Sequence, residues 1–159
     1  MRVSIYQPQY FPRLHYFNRI LSSDIFVILD SAQYTKNLVH HNGKKRKRHT
    51  SYQADTPIKW IQGEYLLTVP IKHKGLLSIN KTEIDYSSKW PYKHIGTLKS
   101  AYGKAPQFDR VFPFIEKILK QQYRSLAELD IITMLFGIAR LMRVEEDNNS
   151  LTIEKINKQ

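Results

Sequence analysis

The chain of 159 residues has no cysteine, only six glycines and no apolar run as long as a membrane span. Without cysteine there are no disulfides, thiolate metal ligands or thiol nucleophiles. A transmembrane helix would need an apolar run of roughly 18 residues or more. Because no amino-terminal signal pattern is visible either, we expect a cytoplasmic protein that does not span a membrane.

The common motifs of phosphate binding and catalysis are also absent. The sequence contains no Gly-x-x-x-x-Gly-Lys, Gly-x-Gly-x-x-Gly, Gly-x-Ser-x-Gly or His-Glu-x-x-His motif. His40 and His41 are adjacent, so an extended strand would point them to opposite faces. The sequence therefore predicts no metal site and gives no indication of a cofactor.

Positive charge is abundant and unevenly placed. The formal net charge is +11, and residues 34–74 carry nine Lys or Arg against two acidic residues. Much of the excess lies in one run, which consists of Lys44, Lys45, Arg46, Lys47 and Arg48. Such a patch attracts phosphorylated small molecules, nucleotides or DNA. The alternative is a solvated loop that only aids solubility, which is the usual role of an isolated charge run.

The first 30 residues predict a strand, a loop, a helix and a second strand. Val3 and Ile5 begin an apolar strand, and the two prolines of the following QPQYFP segment cannot continue it. Helical spacing follows, and then the apolar run 25–29 is typical of a parallel strand covered on both faces. Parallel pairing would place Gln7 and Asp30 at the sheet edge where α/β proteins bind ligands. Alternatively, both side chains only cap local backbone groups.

The remaining elements complete an α/β prediction. A strand is expected over residues 65–69, a short strand over 78–85, and helices from Trp90 to Gly103, from Pro113, and from 129 to 142 after a capping box. We expect a single domain with a Rossmann-like, mostly parallel sheet flanked by helices. On the first of these helices, His94 either presents an imidazole beside Trp90 or is a buried structural histidine.

Domain boundaries follow from the same pattern. We expect one domain over residues 1–144 with a basic insertion near residues 42–60, and a loosely held tail over residues 145–159. Tyr34, Tyr52 and Trp60 accompany the basic residues, a composition that suits single-stranded nucleic acid.

Four ordered blocks of sequence together resemble the WbqC-like family. They are residues 5–12 (IYQPQYFP), 23–30 (SDIFVILD), 66–72 (LLTVPIK) and 102–106 (YGKAP). The resemblance covers most of the chain to about Val144, although His41-Asn42-Gly43 replaces the usual Asn-Arg-Asn run and the family usually continues further. It implies a set of site residues, namely Gln7, Pro8, Asp30, Gln33, Lys72, Trp90 and His94.

The resemblance also implies a function. Members look like bacterial and phage enzymes of polysaccharide biosynthesis, natural-product synthesis or DNA modification. We therefore expect a transferase that attaches an amine or amino acid, such as glycine, to a phosphate-activated acceptor, either a modified pyrimidine in phage DNA or a nucleotide-linked sugar. Asp30 or His94 would take the amine proton, while Lys72, His94 and the run 44–48 would hold the acceptor.

Two other functions fit the same residues. The first is a non-catalytic module that binds nucleic acid or nucleotide through the basic residues. The second is a nucleotidyltransferase-like enzyme, for which His15 after the first loop is the only histidine in place.

Overall fold

The computed structural model describes residues 1–35, 51–72 and 76–142. Its elements are β1 (Val3–Tyr6), α1 (Leu14–Leu21), β2 (Ile25–Ile28), β3 (Asp55–Trp60), β4 (Gly63–Thr68), a short 3₁₀ helix (Ile79–Lys81), α2 (Trp90–Tyr102), α3 (Phe108–Lys120) and α4 (Leu126–Met142). The α/β class is confirmed. The basic run 44–48, His40, His41, His73 and the tail 145–159 lie outside the described residues.

The predicted strand, loop, helix and strand unit is confirmed. Strands β1 and β2 pair in parallel from Val3↔Ile25 to Tyr6↔Ile28. The Leu29 N–H donates to the Tyr6 carbonyl at 2.9 Å and extends the ladder by one residue. Both strands therefore end at the same edge, next to Gln7 and Asp30.

The two faces of this parallel pair differ in their covering. On one face Tyr6, Phe26 and Ile28 pack against α1 and α4. On the other face five aliphatic side chains are 39–58% exposed, namely Val3, Ile5, Ile25, Val27 and Leu29. The prediction that residues 25–29 are covered on both faces is wrong for the described part of the chain, because its helices cover one face only.

The second sheet is an antiparallel hairpin rather than an extension of the first. Strands β3 and β4 pair from Asp55↔Thr68 to Trp60↔Gly63, with Gly63 at φ +118° in the turn. A connection this short can only join antiparallel strands. The predicted mostly parallel Rossmann-like sheet is thus replaced by two small sheets. Ala54 and Ile58, from the range interpreted as an insertion, are buried in the main core.

Two of the predicted helices are confirmed. Helix α2 carries Pro91 in its first turn, where a missing N–H costs no helical bond. At the start of α4, the Ser125 hydroxyl accepts from the Glu128 N–H at 3.3 Å, and the Glu128 carboxylate accepts from the Arg124 N–H at 2.8 Å. No described helix has the length and hydropathy that crossing a membrane requires.

One helix boundary and one strand were predicted wrongly. Helix α3 begins at Phe108, so Pro113 lies inside it rather than at its start. Instead of a strand over residues 78–85, the chain forms the short 3₁₀ helix between two isolated bridges, Gln33↔Ser78 and Ile71↔Ile84. Short apolar segments satisfy either geometry, and tertiary pairing decides between them.

Candidate functional site

A cleft of about 410 Å³ opens at the carboxyl edge of the parallel pair. Its lining consists of Ile5, Tyr6, Gln7, Gln9, Leu29, Thr35, Tyr52 and Gln53. The volume suits a small molecule. The position agrees with the general rule that α/β proteins bind ligands beyond the carboxyl ends of their strands.

The turn before β3 brings Gln53 into this cleft. The Ala54 and Asp55 N–H groups donate to the Ser51 carbonyl at 3.1 and 2.7 Å. The Asp55 carboxylate in turn accepts from the Ser51 N–H at 2.5 Å. Because backbone and side chain close the turn together, Gln53 has little freedom to leave the cleft wall.

The polar lining is a directional chain of hydrogen bonds. The Ser51 hydroxyl accepts from the Gln53 backbone N–H at 3.3 Å and donates to Gln53 Oε1. Gln53 Nε2 then donates to Gln7 Oε1 at 2.6 Å. Because Gln7 Oε1 accepts this bond, the group of Gln7 that remains for a ligand is Nε2, which makes no hydrogen bond with the described residues. The cleft thus offers N–H donors that suit a carboxylate, phosphate or carbonyl oxygen.

The loop that carries Gln7 is held by surrounding hydroxyl groups. The Tyr16 hydroxyl donates to the Gln7 carbonyl at 2.9 Å. At Phe11, the Thr133 hydroxyl accepts from the backbone N–H at 3.1 Å and the Thr56 hydroxyl donates to the carbonyl at 3.0 Å. Phe11 has φ +41°, in the left-handed region that disfavours a side chain. The loop is therefore shaped by its surroundings, which preorganises the cleft.

His94 lies in the core and not in the cleft lining. It is 6% exposed, and its Nδ1 lies 3.0 Å from the Tyr10 hydroxyl. Burial lowers the pKa of His94 to about 4, and a hydrogen bond to the Thr68 backbone opposes this shift. A bond that raises the pKa is donated by the ring, so the neutral imidazole donates to Thr68 and accepts from Tyr10. This placement favours the structural histidine of the two interpretations.

Trp90 accompanies His94 in the core. The two rings are 5.0 Å apart between centroids, and Trp90 is buried. Its indole N–H has no hydrogen-bond acceptor among the described residues. Trp90 therefore does not reach the cleft, although its unused donor is an unusual feature of a buried side chain.

The acidic residue expected at the sheet edge is in place. Asp30 follows the cleft residue Leu29, and its carbonyl accepts from the Asn80 N–H at 3.1 Å. Its carboxylate is half-buried and makes no hydrogen bond or ion pair with the described residues. The structure thus brings Gln7 and Asp30 to one edge, although only Gln7 is among the residues that line the cleft.

The other predicted residues are placed elsewhere. Pro8 is fully buried beside the cleft. Gln33 is exposed and bridges to Ser78 through its backbone. Lys72 is exposed, and its ammonium forms an ion pair with Glu83 at 3.0 Å. The structure therefore does not bring Gln33 or Lys72 into the cleft lining.

Sequence reasoning missed several residues. Gln9 was inside the QPQYFP segment, whereas Tyr52 and Gln53 were assigned to an insertion. It also missed Asp130, which is completely buried on α4 with both carboxylate oxygens unpartnered among the described residues. Burial raises the pKa of Asp130 well above its ordinary value. An acidic residue inside an apolar helix stripe was the available signal.

Comparison with known proteins gives a family and a relative. The model of the family described as "WbqC-like protein family" matches residues 7–153. The uncharacterized protein Rv1507c of Mycobacterium tuberculosis is 32% identical over 132 residues, which are 81% of this chain and 51% of that protein. The chain thus spans about half the length of this curated relative. No solved structure matches.

Proposed function

Because the chain belongs to the WbqC-like protein family, we propose that it is a transferase that attaches an amine or amino acid to a phosphate-activated acceptor. One observation carries the proposal. The Gln7 and Gln53 amides line the cleft at the carboxyl edge of β1 and β2, and Asp30 directly follows the lining residue Leu29 at the same edge. Hydrogen-bond donors and a proton acceptor are the groups that such a transfer needs.

The proposed transfer step balances in atoms and charge. The donor nitrogen attacks the carbon that carries the phosphate, and a carbon–nitrogen bond forms while the carbon–oxygen bond breaks. The phosphate leaves with the bonding electron pair, and Asp30 accepts one proton from the nitrogen. The Gln7 and Gln53 amides bind substrate oxygen atoms. His94 contributes indirectly, because it holds Tyr10 and therefore the loop that presents Gln7.

A phosphorylated acceptor agrees with the charge distribution. Thr35 and Tyr52 both line the cleft and flank the segment that contains the run 44–48. A concentration of five cations in the sequence between two cleft residues agrees with a phosphorylated substrate, because positive charge attracts phosphate. The excess of positive charge favours a polymeric acceptor, such as a phosphorylated hydroxymethyl-pyrimidine in DNA, over a nucleotide-linked sugar.

Removal of the Gln7 side chain tests the cleft directly. Gln7→Ala is expected to lower kcat/KM about tenfold to hundredfold, since a hydrogen bond to a charged group contributes about 1.5–3 kcal/mol. The measurement is the initial rate of glycine transfer to an oligonucleotide that carries phosphorylated hydroxymethyl-pyrimidine. Gln62→Ala, in the exposed hairpin turn, is the matched control and should retain the wild-type rate. Equal rates for both variants would contradict the site.

The net charge of +11 also supports a second candidate, a non-catalytic module for nucleic acid. Its test replaces the five cations of the run 44–48 by glutamine and measures binding of single-stranded DNA against salt concentration. If the run contacts phosphates, the slope of log affinity against log salt should decrease by about 3.5, at about 0.7 per contact.

The matched control for that variant replaces five exposed cations elsewhere, namely Lys89, Lys93, Lys104, Arg110 and Lys117. An equal change of this slope in both variants would show that DNA is attracted by the total positive charge and not by the run 44–48 in particular. The transferase proposal expects turnover of a small phosphorylated acceptor to survive replacement of the run 44–48, whereas a pure binding module shows no turnover at all.

A further inference from the structure

The described residues that line the cleft carry no charged side chain. Their polar groups are amides and hydroxyls, and the others are aliphatic or aromatic. Neutral donors and acceptors beside apolar surface suit an uncharged ligand group that has a hydrogen-bonding edge and bare faces. Of the oxygen atoms that the Gln7 donor could bind, this lining therefore favours the carbonyl oxygen of a neutral ring.

Tyr52 contributes an aromatic ring to this lining. Its backbone is held in place, because the Tyr52 carbonyl accepts from the Tyr10 N–H at 3.2 Å. Its side chain is 38% exposed and makes no ring contact and no hydroxyl hydrogen bond with the described residues. An exposed ring on a fixed backbone is a platform on which a heteroaromatic base can stack.

Aliphatic surface continues from the exposed face of the parallel pair into the cleft. Ile5 and Leu29 belong to that face and also line the cleft. Exposed apolar surface of this kind is typical of ligand-binding grooves. A sugar ring placed here would leave hydroxyl groups against carbon atoms without hydrogen bonds, whereas a base has bare faces that lose nothing. The surface therefore favours a base over a sugar.

Two amides remain open for the edge of such a ring. Gln7 offers Nε2 as a donor, because its Oε1 accepts from Gln53. Gln9 is only 7% exposed, and its side-chain amide lines the cleft without a hydrogen bond to the described residues. A buried amide without partners is costly, so a ligand that pairs with its donor and its acceptor stabilises the site. Glutamine amides pair in this way with the edges of nucleobases.

We propose that the cleft binds the nucleobase of the acceptor, with its face against Tyr52 and its edge at Gln9 and Gln7. Tyr52 and Gln9 are then specificity-determining residues of the transfer. The inference rests on the proposed function, because that function supplies an acceptor that carries a base. The leaving phosphate is bound outside the described lining, which contains no cation.

NMR titration with two simple probes tests the proposal. Deoxyuridine carries a base and no phosphate, whereas deoxyribose is the same sugar without the base. Deoxyuridine should bind to the wild-type protein and shift the side-chain amide signals of Gln7 and Gln9, and deoxyribose should do neither. The amide signal of Gln62, in the exposed hairpin turn, is the internal reference and should not move.

Substitutions of Tyr52 and Gln9 locate the base. Tyr52→Leu removes the ring and keeps an apolar side chain, so it should weaken deoxyuridine binding about fivefold to hundredfold. Tyr52→Phe keeps the ring and should bind within about twofold of wild type, because the hydroxyl has no hydrogen bond to lose within the described residues. Gln9→Leu should weaken binding about twofold to tenfold. Tyr92→Leu, on the exposed side of α2, is the matched control and should bind as wild type does.

The outcomes separate this inference from the proposed function. Equal affinity for deoxyribose, or wild-type affinity in Tyr52→Leu, would overturn the base site even if transfer occurs. Deoxyuridine binding that depends on Tyr52, in a protein that transfers no amine, would overturn the transferase and keep the base site. Absence of deoxyuridine binding in wild type, or binding that leaves the Gln7 and Gln9 signals unshifted, overturns the inference. These signals are measured on the wild-type chain, so the test holds even if Tyr52→Leu does not fold.

Discussion

Replacement of Asp30 by asparagine is expected to lower the rate of the chemical step by about 10²–10⁴-fold. This is the usual effect of removing a general base. The amide side chain would keep the size of the carboxylate and its half-buried position, but it cannot accept the amine proton. The Asp30 carboxylate has no competing bond within the described residues, so its loss leaves no partner unsatisfied and the fold should survive.

Single-turnover kinetics with saturating donor and acceptor separates this effect from weaker binding. Thermal unfolding of Asp30→Asn should match wild type, and Asp109→Asn serves as the exposed control for the same chemical change. A wild-type rate in Asp30→Asn at every pH at which the wild-type protein is active would contradict the assignment of Asp30 as proton acceptor. It would not contradict the cleft as a binding site, because Gln7→Ala tests the cleft separately.

Replacement of His94 by alanine is expected to lower the free energy of unfolding by about 2–5 kcal/mol, the range found when a large buried side chain is truncated. The substitution leaves a cavity beside Trp90. It also leaves the buried Tyr10 hydroxyl and the Thr68 carbonyl without the partner that joins them. Urea denaturation measures the loss.

His15→Ala is the matched control for this variant. His15 is an exposed histidine on α1, and its removal should change the free energy of unfolding by less than about 0.5 kcal/mol. A loss in His94→Ala no larger than that of His15→Ala would contradict the role of the imidazole as a bridge between the loop and the hairpin.

The stability of His94→Ala should also depend on pH differently from that of wild type. The pKa of His94 falls from 6.5 to about 4 on folding, so protonation favours the unfolded chain. The contribution of neutral His94 to the free energy of unfolding, about 3 kcal/mol, is fully present above the unfolded pKa. It is lost as the pH falls through the folded pKa. Asp130 acts in the opposite direction, because its raised pKa favours the folded state in acid. The difference between the profiles of wild type and His94→Ala isolates the histidine.

Local patterns predicted the elements that local forces determine. The unit from β1 to β2 was predictable because the QPQYFP prolines end the strand and the helical spacing begins directly after them. Helices α2 and α4 were predictable from Pro91 and from the Ser125 cap. The hairpin partner β3 was missed because Pro57 and nearby charges hid the strand pattern, and only pairing with β4 reveals it.

The candidate site was predictable only where it belongs to that local unit. Gln7 and Asp30 follow from parallel pairing, so the sequence placed them at one edge. Gln53 reaches the cleft through a turn whose position depends on the hairpin, and Asp130 is buried on α4, which packs with α1 in one hydrophobic cluster. Contacts between such distant segments leave no periodic signal in the sequence. The resemblance named His94, but only its burial distinguishes a structural bridge from a proton acceptor.

The left-handed turn at Phe11 has a consequence for the order of folding. The hydroxyls that hold it belong to Thr56 and Thr133, which lie 45 and 122 positions further along the chain. Contacts of such separation form late, because loop closure opposes them. The first 35 residues alone therefore cannot give the QPQYFP segment its shape, and the cleft becomes competent only after the hairpin and α4 have docked. A chain cut before Thr133 would keep the QPQYFP sequence and lose the loop conformation that forms the cleft.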